Sequence, residues 1–272
     1  KLLGLLILSL SGLCALAAGE PITRLAAGDM QLTLRSAPGG VRVDSLLDTR
    51  SGQELLATNP LPLFSLTLRQ AGSTNQLRLG ADAGWSQFGF QRRRARLELR
   101  WSQPLEKALA GVSVTATVTP DTRAGALRWK LRVDNTSPNW SVWRVVFPQV
   151  ALADLGTNAA VLVPRGPGDL QRGVWHRPFS FGGTYPNGWC AMQFMAAYRE
   201  GAQPTGLYVA AHDPWGSTKD LALKSDPTAR SVRLSFDHPA PDLGRAGNDF
   251  ALEGEAVWQL LRGDWFDAAM IY

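Results

Sequence analysis

The run GLYVAAHDPWGSTK, residues 206–219, leads an apolar strand into His212-Asp213 and then a Pro-Trp-Gly turn. An imidazole beside a carboxylate suits acid–base work, with Asp213 orienting His212 or stabilising its charged form. The same carboxylate also suits capping the turn through its own side chain, which is the commoner use of Asp in such a place. A second run, GVWHRPFSFGGTYPNGW at 173–189, crowds Trp175, His176, Phe179, Phe181, Tyr185 and Trp189 into a glycine-rich loop, and Gln193 follows it. Aromatic faces stack on the apolar C–H side of a sugar ring, while His176, Asn187 and Gln193 offer hydrogen bonds to hydroxyls. Carbohydrate sites need that mixture. The competing reading is packing, since Tyr and Trp also fill cores wherever their polar tip finds a partner.

Other chemistries find less support. His176, His212 and His238 stand at no metal-ligand spacing, and H-x-x-x-H, C-x-x-C and G-x-S-x-G are all absent. No metal and no cofactor is therefore expected. Glycosidic bonds are cleaved by two carboxyl groups facing each other across the sugar. Glu253 and Glu255, two apart, are expected side by side on one face of one strand rather than opposed. The turn PRGPGD at 164–169 lacks the setting of a phosphate loop. QRRRARLELRW at 91–101 alternates Leu97, Leu99 and Trp101 with Arg96, Glu98 and Arg100, a strand with one wet face. It lacks the interleaved exposed aromatics of a nucleic-acid site, so no nucleic-acid partner is expected.

The elements that hold these residues read almost entirely as strands. MQLTLRS, VRVDSLLD, PLFSLTLRQ, RARLELRW, VSVTATVTP, ALRWKLRVDN, SVWRVVFPQV, AAVLVP, TGLYVAAHD, SVRLSF and EAVWQLL follow one another. Gly, Pro, Asn and Asp punctuate them at short intervals. The expected fold is all-β, a large antiparallel two-sheet sandwich in one domain over residues 18–261. RGDWFDAAMIY at 262–272 begins a helix, with Asp264 as N-cap and Trp265, Ala268, Ala269 and Tyr272 as its apolar stripe. The stripe stops in mid-pattern, so a continuation is expected beyond residue 272.

At the other end, Lys1 and the run LLGLLILSLSGLCALAA have the pattern of a secretory signal peptide over residues 1–17. The expected location is secreted or periplasmic, with no membrane attachment after cleavage. Cys190 is then the one cysteine left of two, and no internal disulfide is expected. It reads as a small buried hydrophobe. A formal net charge of +5 over 272 residues is a mild excess, spread along the chain.

The pieces YPNGWCAMQFMAAY, GLYVAAHDP and GDWFDAAMIY, in that order, resemble a family of uncharacterised bacterial glycoside-hydrolase-like proteins. The resemblance covers roughly residues 143–272, and before that only the strand pattern agrees. It implies an N-terminal β-supersandwich, similar to the galactose-mutarotase fold, preceding a (β/α)-barrel that carries the catalytic carboxylates. The catalytic residues are then outside this chain, and its partners are carbohydrate and its own barrel. Trp175, His176, Tyr185, Trp189, Gln193, His212 and Asp213 become substrate-binding or barrel-interface residues. Two alternatives remain open. A mutarotase-like sugar epimerase would use His176 or His212 with Glu253 or Glu255, and a non-catalytic carbohydrate-binding module would use neither. Tyr185, Trp189, His212 and Asp213 are expected at one end of the sandwich, on the side where the helix leaves.

Overall fold

A computed structural model describes residues 22–272. The signal peptide read at residues 1–17, with residues 18–21, lies outside the described residues. The described chain is all-β, 59% strand against 4% helix, and every ladder between its strands is antiparallel.

Alternating residue types create two facing sheets. In the strand Arg96–Pro104, Leu97, Leu99 and Trp101 turn inward, and Arg96 and Arg100 outward. Val112–Asp121 and Ala126–Asn135 repeat the pattern with Val114, Ala116 and Val118, then Leu127, Trp129, Leu131 and Val133. These strands belong to a ten-stranded sheet. Its order is Asp169–Arg172, Ala159–Val163, Phe194–Arg199, Thr205–His212, Glu255–Leu261, Ala126–Asn135, Val112–Asp121, Arg96–Pro104 and Trp85–Arg93, with Phe250–Ala251 also paired to Ala126–Asn135. The opposing six-stranded sheet runs Ser180–Tyr185, Lys219–Asp226, Ser231–Pro239, Trp140–Ala153, Ser65–Gln70 and Gln76–Gly80. Aromatic rings tie the faces together: Trp129 of one sheet meets Phe147 of the other edge-on at 6.3 Å, and packs on Trp258 of its own sheet at 5.5 Å.

The expected two sheets are joined by a third. Ile22–Ala27, Met30–Ala37, Gly40–Asp48 and Gln53–Glu54 form a separate four-stranded meander whose Leu25, Leu32, Leu34, Val43 and Leu46 enter the same core. The alternation in MQLTLRS and VRVDSLLD fixes strands but not partners, and short hairpins pair with each other first. Arg262, just past the last strand, clamps this meander. It donates to both Asp48 oxygens, one of them at 2.7 Å, and to Asp29 at 3.1 Å. Asp48 is fully buried, and Thr205 and Ser51 donate to it as well, at 2.7 and 2.6 Å. Burial would raise the Asp48 carboxyl, but the hydrogen bonds from Arg262, Ser51 and Thr205 outweigh it and hold it far below the carboxylate range.

Thr205–His212 is buried along nearly its whole length rather than alternately. Its inner face meets the six-stranded sheet. On the outer face Tyr208 and Ala210 join Phe194, Ala196, Tyr198, Val257, Leu261 and Ala268 in a second apolar cluster. The helix Trp265–Ile271 covers that cluster. Asp264 accepts from the Phe266 N–H at 2.8 Å while Asp267 accepts from the Asp264 N–H at 2.9 Å, a reciprocal cap. The inward face is Ala268 with Ile271 beside it; Ala269 and half of Trp265 face out, so the expected apolar stripe is shifted. No helix among the described residues is long and apolar enough to cross a membrane.

His238 on the strand Ser231–Pro239 gives the core a pH dependence. It is 5% exposed, and Nε2 donates to the Phe147 carbonyl at 2.8 Å. Burial pushes its imidazole down to about 4, although the Phe147 hydrogen bond opposes this and Lys219 and Arg144 assist. Between that value and the ordinary 6.5 the unfolded chain binds the extra proton and the folded one does not. Its contribution, about 3 kcal/mol at most, is complete above pH 6.5 and is lost as pH falls through 6.5 toward 4. Urea unfolding midpoints measured from pH 7 to 4.5 should fall, and His238→Gln should flatten that slope even where it lowers the midpoint itself.

Candidate functional site

Strand register decides which side chains meet. Tyr185 pairs with Lys219, and Ala211 donates to the Gln193 carbonyl at 2.9 Å. The ends of Ser180–Tyr185, Phe194–Arg199, Thr205–His212 and Lys219–Asp226 therefore gather at one end of the sandwich. Leu261 pairs with Gly206, at the opposite end. The chain thus enters its helix at the far end and returns along the outer face, so that Tyr272 arrives beside His212 and not beside the start of the helix. The Tyr272 ring lies 5.2 Å from Phe194 and 6.4 Å from His212.

At this end the ammonium of Lys219 is buried. Nζ donates to the Asp213 carboxylate at 3.0 Å, to Gln193 Oε1 at 2.6 Å and to the Ser217 carbonyl at 2.5 Å. It also lies 4.8 Å from the centre of the Tyr185 ring. The side chains of Lys219 and Asp213 are each 1% exposed. Asp213 accepts in addition from the Trp215 and Ser217 N–H groups, both at 2.8 Å. It thus caps the turn and answers the lysine at once, and makes no hydrogen bond to His212. Burial lowers the Lys219 ammonium, and Asp213 works against that shift. Burial also raises the Asp213 carboxyl, but the hydrogen bonds from Lys219, Trp215 and Ser217 prevail and keep it below the usual range.

A lysine only donates, so Gln193 must turn its oxygen to it. That leaves Nε2 to donate to the Asp213 carbonyl at 3.0 Å and to the Tyr272 hydroxyl at 3.4 Å. Tyr272 in turn neighbours the Tyr185 hydroxyl; burial first, and then Tyr272, push the Tyr185 phenol above its ordinary value. Lys219, Gln193, Tyr272 and Tyr185 form one polarised series from a buried cation to the surface.

Two tryptophans stand outward around it. Asn187 Oδ1 accepts from the Trp189 N–H at 2.7 Å and the Cys190 N–H at 3.0 Å, which closes a tight turn with Trp189 75% exposed. Asp213 does the same for Trp215, which is 80% exposed. Cys190 is buried, and burial pushes its thiol up to about 11, so it is an inert apolar residue.

The structure brings together Tyr185, Gln193 and Asp213, with Trp189 on an adjoining turn. His212 is next to the cluster but faces the outer side, where its Nε2 shares a hydrogen bond with the Tyr208 hydroxyl at 2.8 Å. Burial pushes its imidazole down, Arg128 adds to this and Glu255 opposes it. Glu255 is its cross-strand partner and lies 3.6 Å from Arg128. Glu253 precedes that strand in a bend, so the two glutamates do not share a strand face. Trp175 is a core residue, 1% exposed, with Nε1 donating to the Leu152 carbonyl at 3.4 Å. His176 pairs with Asp154 at 3.2 Å, away from the cluster. The stretch 173–189 is less loop than expected, because Ser180–Tyr185 pairs as a strand with Lys219–Asp226. Lys219, Trp215 and Tyr272 are the members that sequence reasoning missed as site residues. Among the described residues no group of His, Cys, Asp and Glu could hold a metal ion.

No protein-family profile matches the chain, and no curated protein sequence matches it. Solved structures do. The α-N-acetylgalactosaminidase NagBb from Bifidobacterium bifidum superposes with a TM-score of 0.60 at 12% identity, over 92% of this chain and 38% of its own. The α-galactosidase from Lactobacillus brevis gives 0.60 at 8% identity, over 91% and 40%. The GH36 α-galactosidase AgaB from Geobacillus stearothermophilus gives 0.56 at 10%, over 92% and 42%. The sandwich is thus the fold of a region in these glycosidases, and the chain spans about two fifths of their length.

Breaking the buried pair should be costly. Lys219→Met leaves the Asp213 carboxylate buried without its counter-ion and should lower stability by about 3–5 kcal/mol. Trp189→Ala and Trp215→Ala remove exposed rings and should stay within about 0.5 kcal/mol of the parent. Urea denaturation of the three variants checks both statements. A Lys219→Met protein as stable as Trp215→Ala would show that the pair does not hold this end together.

Proposed function

We propose that this chain is the β-sandwich region of a secreted or periplasmic glycoside hydrolase acting on O-glycosidic bonds of oligo- or polysaccharides. In this reading the catalytic carboxylates belong to a (β/α)-barrel outside the sequence. The carrying observation is the shared strand arrangement: 92% of this chain matches 38–42% of α-galactosidase and α-N-acetylgalactosaminidase chains. The surface chemistry agrees with it. Trp189, Trp215, Trp265, Phe266 and Met270 are all large, apolar and exposed, the kind of surface that a second domain or a sugar covers. Tyr272 lies beside the Lys219 cluster through Gln193, so a barrel following it would begin there. Tyr185, Gln193 and Tyr272 then stand where that domain and its substrate meet the sandwich, and the buried cluster is their foundation.

The full-length gene product should hydrolyse p-nitrophenyl α-galactoside or α-N-acetylgalactosaminide, and a chain of residues 22–272 should not. Loss of all hydrolysis on a broad panel of such glycosides would overturn the reading. So would mutarotation of α-galactose by residues 22–272 well above the spontaneous rate, followed by polarimetry, which would favour the sugar-epimerase alternative.

A further inference from the structure

Next to the Lys219 cluster, the same end of the sandwich opens into a cleft of about 500 Å³. One wall is the turn holding Asp213, Ser217 and Thr218. The other is formed by residues 239–241, 249–251 and Glu253, with buried His238 also lining it and exposed Arg132 at its rim.

These walls are built rather than loose. Asn248 is buried; its Nδ2 donates to the Val142 carbonyl at 3.0 Å and the Pro241 carbonyl at 2.7 Å, and its Oδ1 accepts from the Val142 N–H at 2.8 Å. Asp249 accepts from the Asn135 N–H at 2.8 Å, and buried Asn135 is itself bound to the Trp140 carbonyl at 2.9 Å. Gly254 brings the remaining segment in. At φ +67° a Cβ there would stand 2.0 Å from the His212 carbonyl oxygen. Only glycine lets the Glu253 bend lie flat against the His212-Asp213 backbone.

The chemistry of the lining is selective. Among the described residues the Glu253 carboxylate has neither a hydrogen bond nor an ion pair. Arg132 donates to Asp134 at 2.5 Å and lies 3.6 Å from Asp249, so a guanidinium and a carboxylate stand side by side at the rim. Ser217 and Thr218 bring hydroxyls, and Pro239, Pro241 and Phe250 bring apolar faces. His238 is uncharged at neutral pH, and the Asp213 carboxylate is already matched by Lys219. One guanidinium therefore faces two carboxylates, a balance that disfavours phosphates and acidic sugars. Carboxylates accept from hydroxyls, a guanidinium donates to them, and ring C–H groups pack on apolar faces. Trp215, two residues from both Asp213 and Ser217, displays an exposed indole on the same turn.

We propose that this cleft binds a neutral sugar unit of a short oligosaccharide. Glu253 and the neighbouring Arg132 and Asp249 take its hydroxyls, and Trp215 stacks on the next unit along. The choice of ligand class rests on the carbohydrate reading above; the cleft and its polar lining do not.

Isothermal titration with galactose, N-acetylgalactosamine, stachyose and galacturonic acid tests it. Saturable binding of at least one neutral sugar is expected, with galacturonic acid weaker. Glu253→Gln and Arg132→Gln should each weaken binding about fivefold or more, the loss of one hydrogen bond to a charged group. Trp215→Ala should weaken stachyose more than the monosaccharides. All three positions are exposed, and unchanged circular dichroism and urea midpoints would show that the variants keep the fold. No saturation by any neutral sugar, tighter binding of galacturonic acid, or binding indifferent to Glu253 and Arg132 would each overturn the proposal. Hydrolysis by the full-length product without sugar binding to this cleft would overturn the cleft alone. Cleft binding without hydrolysis would overturn the glycosidase reading alone.

Discussion

The ammonium of Lys219 is the group around which this end of the molecule is arranged. A buried, unpaired charge is so costly that the fold must supply partners from every direction. Here the partners come from separate parts of the chain: Asp213 and Ser217 from one turn, Gln193 from before another strand, and the Tyr185 ring from the neighbouring strand of the six-stranded sheet. Each partner is then no longer free to choose its geometry. Asp213 must cap the turn 213–217, so Trp215 points outward. Gln193 must offer its oxygen inward, so its amide N–H reaches Tyr272. The exposed features of the surface follow from a charge that has almost no surface of its own.

A second ion cluster performs the matching task at the opposite end. Arg262 joins the last strand of the ten-stranded sheet to Asp29 and Asp48 of the four-stranded meander. It stands three residues before Trp265, so the helix starts from a fixed point. The helix is short and contributes few buried side chains, Ala268 foremost, and a free helix of this length is unstable in water. It is held because Arg262 pins its approach, Asp264 and Asp267 cap it, and Tyr272 docks on Phe194 and Gln193 at its far end. Two polar anchors, one at each end of the sandwich, place an element that hydrophobic burial alone would leave frayed.

Much of this architecture was legible in the sequence, and the failures have physical causes. Strands such as Arg96–Pro104 and Ala126–Asn135 declare themselves because one face is dry and the other wet. Thr205–His212 was also legible, as a continuous apolar run. The strand Lys219–Asp226 escaped: KDLALKSD begins with a lysine in a place where alternation permits a charged residue, and nothing local says that this one is buried. Ser180–Tyr185 was hidden by Gly182 and Gly183, which weaken any strand signal. Trp175 and Tyr185 lie ten residues apart in the same aromatic run, yet one fills the core and the other lines the cluster. Aromatic type cannot make that distinction; strand register does. Asp213 was legible both as a turn cap and as an ionic partner, and it serves as both, but for Lys219 instead of His212.

Identities of 8–12% with solved glycosidases coexist with superposition over nine tenths of the chain. The two facts are compatible because the sheets need only apolar residues of suitable size on alternate positions, a demand that many sequences meet. The strand ends are different. Lys219, Asp213, Gln193 and Tyr272 depend on one another's identity, so none of them can change alone without leaving a buried polar group unpaired. The same holds for Asn248, Asn135 and Gly254 around the cleft, where a side chain too large or an amide removed would let a wall move. A sandwich held only by its core would tolerate any loops at its ends. This one commits buried amides, a buried ion pair and a glycine without steric alternative to holding the turns of the Tyr185–Trp215 end still, a degree of constraint that burial of the sheets alone does not require.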